Sequence, residues 1–266
     1  SLFRQRRKPL HGFTLIELLV AVSIIAILLA ILLPALGQAR KSAWAVNSLA
    51  NTRSWGIATH SFLNDHKHVL PWEGEKESPT LNFPRKDWWG NAVPPYVGQP
   101  RYADLYLQRV AAGLPVPQPP DRNIFIDPSA KIGPEQLHGW PLANIPYYFS
   151  YVPNADLVES VAADKLKVID GKQRLPYDNI RVPSNTVMMF ELRAGIHEVQ
   201  SLSDDVTEKA EVDLLRMKGD EKHFAGRHFQ GGHLAYSDGH ARHAGWMKTY
   251  EAGDWLIDGP GGESND

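Results

Sequence analysis

Residues 12–33 form an apolar run of membrane length that contains a single carboxylate, Glu17. From position 13 to position 36 no other side chain is ionisable. About 20 apolar residues rising 1.5 Å each cross a hydrocarbon core. A charge inside such a segment costs about 2.5–3.5 kcal/mol on insertion scales, so the carboxylate marks a functional position. The run holds no cation, which predicts that Glu17 finds its partner on another chain, a lipid headgroup or a newly made amino terminus.

The flank before the run carries Arg4, Arg6, Arg7 and Lys8 and no acidic residue. Such a flank holds its end in the cytoplasm and sends the following chain outward. Ala35 and Ala39 beyond the run offer a secretory-type cut that would discard it. Against that stands the string Gly12-Phe13-Thr14-Leu15-Ile16-Glu17, which resembles the processing site of type IV pilins and type II secretion pseudopilins. The resemblance implies cleavage between Gly12 and Phe13 and N-methylation of Phe13 by a prepilin peptidase. The retained helix then assembles with other pseudopilin subunits, on an inner-membrane platform, into a homo- or hetero-oligomeric filament. Glu17 would neutralise the Phe13 ammonium of a neighbour and set its axial register. Pro34 matches the helix-distorting proline that this family often carries, and a mid-helix proline removes one backbone hydrogen bond; the alternative is that it ends the membrane span.

The expected organisation is a basic leader at 1–12, a long helix at 13–64 and a head at 65–266. The helix divides into a transmembrane part, 13–36, in contact with membrane lipid, and an amphipathic part, 37–64. With Leu36, Ala43, Ala50 and Ile57 every seven residues, and Ala39 and Val46 between them, one stripe is apolar. Lys41, Ser48 and Asn51 lie opposite. Pro34 and Gly37 leave open a hinge between two helices. In the head, the spacing predicts a short helix at 102–112 and a surface helix at 206–217. Strands are expected at 123–126, 147–152 and 186–191. A final hairpin, 233–237 with 240–243, would turn on Asp238-Gly239 as a two-residue type I′ turn. One long membrane-spanning helix packed on a head with an antiparallel sheet is an α+β, pilin-like class.

A second resemblance covers the head. His228, nine residues, then Asp238-Gly239 is similar to the H-x9-DG signature of a pseudopilin-like family abundant in Planctomycetes and Verrucomicrobia. Asp127-Pro128-Ser129, Ser150-Tyr151-Val152-Pro153-Asn154 and Val182-Pro183-Ser184-Asn185-Thr186 accompany it. Many of those relatives have cysteine where this chain has Asp127.

The leader's four cations leave residues 13–266 at −6, out of a total of −2, which argues against nucleic acid as a partner. With no cysteine, disulfides, thiolate zinc sites and cysteine nucleophiles are excluded. His223, His228, His233, His240 and His243 crowd 21 residues and are the candidates for a zinc site. Their spacing matches no helical two-histidine motif. In the expected turn His233 shares a face with His240 and His243 points away, so the preferred reading assigns no metal and no other cofactor. His228 would then donate to a loop carbonyl, Asp238 would brace the turn and Gly239 would supply positive φ. Asp204, Asp205, Asp213, Asp254 and Asp258 are oxygen donors of the kind calcium takes, without regular loop spacing. Ser150, Ser184 and Ser237 lack any nucleophile signature, and no phosphate or dinucleotide loop occurs.

The leading reading is therefore a non-enzymatic, single-pass inner-membrane subunit with a cytoplasmic N-terminus. Its head would lie in the periplasm or in a cell-surface filament. One alternative is a membrane-tethered module binding glycan or secreted cargo, with Trp72, Trp88, Trp89 and Tyr96 as a sugar platform. The other is an anchored metal-dependent hydrolase using the C-terminal histidines.

Overall fold

The computed structural model describes residues 14–74, 84–118, 121–130, 138–139, 146–147, 149–159, 161–192 and 224–245. The apolar run begins a single helix, α1 (Leu15–Asp65), of 51 residues. It remains helical through Pro34 and Gly37, so neither residue ends it. Two compact units meet in sequence between Ala43 and Trp44. In the first unit, α1 contains an 18-residue window of mean hydropathy 3.0 with nothing covering it, long and apolar enough to cross a membrane.

The second unit is the head, an α+β fold. Its main sheet has four antiparallel strands in the order β3-β6-β7-β8, formed by β3 (Tyr151–Pro153), β6 (Val187–Glu191), β7 (Gly231–Tyr236) and β8 (Ala241–Gly245). The two central strands are buried at every position, which is why 187–190 is an unbroken apolar stretch instead of an alternating one. Two small ladders complete the strands: β1 (His138–Gly139) with β2 (Pro146–Tyr147), and β4 (Lys167–Ile169) with β5 (Lys172–Arg174). Asp170 and Gly171 join β4 to β5, both at positive φ, as a two-residue type I′ turn requires.

Residues 45–63 of α1 belong to the head's core, through a face that the sequence did not suggest. The buried positions are Ala45, Ser48, Thr52, Trp55, Gly56, Ala58, Thr59, Phe62 and Leu63. The expected stripe points outward instead, with Val46 66% and Ile57 49% exposed. Aromatic side chains decide the orientation, because burying Trp55 and Phe62 removes far more apolar area than burying alanines. The cost of taking hydroxyls inside is met by hydrogen bonds. Thr52 Oγ1 donates to the Ser48 carbonyl at 2.9 Å, and Ser48 pairs with the sheet, as described below.

Around Trp55 the core is aromatic: Trp89 and Phe125 meet it edge-on at 5.3 and 5.5 Å between ring centroids. Tyr102, at the start of α3 (Tyr102–Ala111), lies 4.4 Å from Phe149. Trp88 and Trp89 flank the start of the one-turn α2 (Trp89–Ala92) and are 0% and 2% exposed. A sugar platform needs open ring faces, and these rings have none.

The strand expected at 123–126 is a turn. Asn123 Oδ1 accepts from the Phe125 amide at 2.9 Å, an Asx turn that competes with extended pairing. Side chains of α1 donate to carbonyls of this turn. Trp55 Nε1 donates to Ile124 O at 2.8 Å, and Asn51 Nδ2 to Asn123 O and Ile126 O at 3.2 and 3.3 Å. The helix expected at 206–217 lies outside the described residues.

Candidate functional site

The first site is the start of α1. Gly12 and Phe13 lie outside the described residues. Glu17 is exposed and meets Thr14 three residues earlier. Thr14 donates to Glu17 Oε2 through its amide at 2.9 Å and its hydroxyl at 2.8 Å, and the Glu17 amide donates back to Thr14 Oγ1 at 3.2 Å. This is a capping box, two orphan amides of the first turn satisfied reciprocally. Its donors are neutral, so the box satisfies hydrogen bonds without supplying the countercharge expected from another chain, a lipid headgroup or a new amino terminus. A carboxylate at the third helical position behind a threonine cap finds its donors locally. Pro34 is exposed and inside α1; lacking an amide hydrogen, it leaves the Ala30 carbonyl without its usual donor.

The second site is a fully buried polar cluster where the head's motifs meet. Asp127 ends the Asx-turn segment, Glu191 ends β6, His228 precedes β7 and His233 lies on it. These four side chains are 0–3% exposed. His228 Nε2 lies 2.8 Å from Asp127 Oδ2 and 3.6 Å from Glu191 Oε1. His233 Nδ1 is 2.7 Å from Glu191 Oε1. Arg227 reaches Asp127 Oδ2 at 3.3 Å and donates to the Leu192 carbonyl. From α1, Ser48 Oγ donates to Glu191 Oε1 and lies 2.8 Å from the Tyr151 hydroxyl. Asp127 also accepts from the Ser129 amide at 2.8 Å and donates its own amide to Ser150 Oγ at 2.7 Å.

The electrostatics follow from burial against pairing. Burial disfavours an ionised Asp127, yet Arg227 and His228 outweigh it and hold the carboxyl well below the usual range. Glu191 is likewise lowered, burial being outweighed by His228 and His233. Burial works against a charged His228, but Glu191 and Asp127 raise its pKa above the ordinary value. Burial, with the same two carboxylates, pushes the Tyr151 hydroxyl well up. The cluster ties β6, β7, α1 and the 127–129 turn together.

The histidines separate differently from the expected pattern. His233 pairs directly with His243, and Leu234 with Arg242. The register carries on to Tyr236 opposite His240, whose carbonyl accepts from the Tyr236 amide at 2.9 Å, so three residues make the turn, Ser237, Asp238 and Gly239, of which only Gly239 has positive φ, +91°. A type I′ turn needs two such residues, so the extra loop residue shifts the register by one and exchanges the faces. His243, not His240, lies beside His233, at 5.6 Å between ring centroids. His240 stacks on Tyr236 at 4.4 Å on the other face. His228 meets the Asp127 carboxylate, not a loop carbonyl; its own carbonyl is 2.7 Å from His243 Nε2. Asp238 Oδ1 accepts from the His240 amide at 3.1 Å, bracing the loop. His223 and the aspartates Asp204, Asp205, Asp213, Asp254 and Asp258 lie outside the described residues.

The loop tip seats on α1. A Cβ on Gly56 would stand 2.7 Å from Gly239 O, and one on Gly239 would stand 2.8 Å from the His60 ring. His60 Nε2 lies 2.7 Å from Ser237 O. Two glycines far apart in sequence thus allow one close approach. Sequence reasoning missed Asp127, Glu191 and Ser48 as cluster members. The available signal for Glu191 was a lone carboxylate closing a five-residue strand that is otherwise apolar.

A family model described as the prokaryotic N-terminal methylation motif matches residues 7–33. No curated protein and no solved structure matches the chain. The motif and the apolar helix support a type IV pilin-like or pseudopilin class and are compatible with membrane anchoring.

Proposed function

We propose that this chain is a structural pseudopilin-like subunit, cut between Gly12 and Phe13 and methylated at Phe13, that assembles through α1 into a type II secretion or type IV pilus-like filament. The observation that carries this reading is the methylation motif running directly into an uncovered apolar helix with one carboxylate, Glu17. The basic leader faces the cytoplasm and the head is exported. In a free subunit Thr14 holds Glu17. On assembly the Phe13 ammonium of a neighbour takes over the carboxylate, an exchange favoured where an unpaired charge is costly. The head carries surface and spacing, not catalysis.

The test is the intact mass of the protein purified from membranes. The expected mass lacks residues 1–12 and carries one added methyl group. An intact leader, or a cut after Ala35 or Ala39, sinks the proposal. Glu17→Ala is expected to insert normally and fail to incorporate into filaments, and normal incorporation removes Glu17 from the mechanism.

A further inference from the structure

The buried cluster also has the makings of a metal centre. His228, His233 and Glu191 each offer a ligand atom, all within 4.8 Å of one another. Asp127 Oδ2 stands 2.8 Å from the first of them. We propose that Glu191, His228 and His233 hold a structural zinc ion in the head, with Asp127, beside His228, as the nearest further donor. Zinc bonds of about 2.0–2.1 Å in a tetrahedron put ligand atoms about 3.3 Å apart. The Glu191–His228, Glu191–His233 and Asp127–His228 separations are 3.6, 2.7 and 2.8 Å.

Three further features support the site. The donors are two imidazoles and two carboxylates, a set suited to zinc and unlike the all-oxygen shell of calcium or magnesium. Two carboxylates, Asp127 and Glu191, converge with both imidazoles in a dry interior. Glu191 Oε2, the oxygen beside the one measured above, is buried with no hydrogen-bond partner among the described residues, so this carboxylate has an acceptor to spare.

The backbone adds a constraint of its own. Between His228 and Gly231, which pair across a tight turn, Phe229 and Gln230 stand at φ +50° and +62°, a region costly for side chains of this kind. That turn carries His228 and leads into the strand that carries His233. With every ligand 0–3% exposed, no position opens to water or substrate. The ion is a staple across four segments, not a hydrolytic centre.

The experiment stands apart from the filament reading, since it needs no assembly. The full chain, purified in detergent and supplied with zinc, is freed of excess metal and analysed by mass spectrometry for bound metal. One zinc per chain is expected, with a lower unfolding temperature after chelation that zinc restores. Cobalt substituted at the site is expected to show the intense visible absorption of tetrahedral coordination. Glu191→Gln and His233→Gln should abolish stoichiometric binding, while His240→Ala, on the other face of the sheet, should retain it. Absence of both zinc and the cobalt spectrum in the unaltered chain overturns the site. So does binding that survives Glu191→Gln and His233→Gln but falls with His240→Ala, which marks surface histidines.

Discussion

Gly56→Ala sets helix propensity against packing. Alanine in a helix interior is favoured over glycine by about 1 kcal/mol, so propensity alone makes the variant more stable. The added Cβ, however, would stand 2.7 Å from Gly239 O, 3.2 Å from Gly239 C and 3.3 Å from Gly239 Cα. All three are backbone atoms of a loop, so no flexible side-chain end can swing away. Overpacking of this kind costs about 1–3 kcal/mol. Pushing the loop back also weakens the 2.7 Å contact between His60 Nε2 and Ser237 O, worth about 0.5–1.5 kcal/mol. The net expectation is destabilisation by about 1–3 kcal/mol, or about 3–10 °C in the melting temperature of a domain this size. Guanidinium unfolding of the full chain in detergent, followed by tryptophan fluorescence, reads it directly. Gly37→Ala is the control: its Cβ meets nothing within 4 Å, and it should leave the head's midpoint unchanged. A Gly56→Ala midpoint equal to or above that of the unaltered chain refutes the seating of the loop on α1.

Three other outcomes are expected. Ser48→Ala strips buried Glu191 and Tyr151 of a partner and should cost about 1–3 kcal/mol in denaturant unfolding; an unchanged midpoint denies α1 a part in the cluster. Trp88→Ala should cost about 3–5 kcal/mol through core loss, seen as a weakened near-ultraviolet circular dichroism signal; a native spectrum with altered glycan binding would favour the tethered module. Burial raises the Asp87 pKa, but Arg85 and Arg174 outweigh it and bring it below the ordinary value. Its stabilisation is therefore present above the unfolded carboxylate pKa and lost as pH falls through the folded one. The stability gap to Asp87→Asn should be steady near neutrality and close in acid; a gap unchanged at low pH contradicts the pairing.

The long helix was legible because its signal is local: an apolar run behind a leader of one charge sign; the threonine three residues before the glutamate was a cap signal left unread. The hairpin was legible in place but not in register, because Asp-Gly occurs in two loops of the described residues with different outcomes. At 170–171 both residues adopt positive φ, and at 238–239 only the glycine does. What tips the second loop is its seating on α1, where His60 Nε2 lies 2.7 Å from Ser237 O, and on the segment before β6, where the Asp238 amide donates to Pro183 O at 3.2 Å and the Ser237 amide to Thr186 O at 2.8 Å. The buried face of α1 was misjudged because alanines at heptad spacing look apolar, while Ser48 and Thr52 look wet until their partners are known. Those partners lie far along the chain: Ser48 and Glu191 are 143 residues apart, and Asp127 and His228 are 101. No periodicity over a short window can reveal such pairs.

The seat of Gly239 at Gly56 restricts how the 45–63 segment can turn about its long axis. A slip of one residue rotates a helix by about 100°, and here it would drive a side chain into the loop backbone. Val46 and Ile57 are thus presented at a single azimuth, dictated by a tight backbone contact about a quarter-turn away on the same rod. Neighbouring molecules that read this outer surface would meet the same compass bearing in every copy.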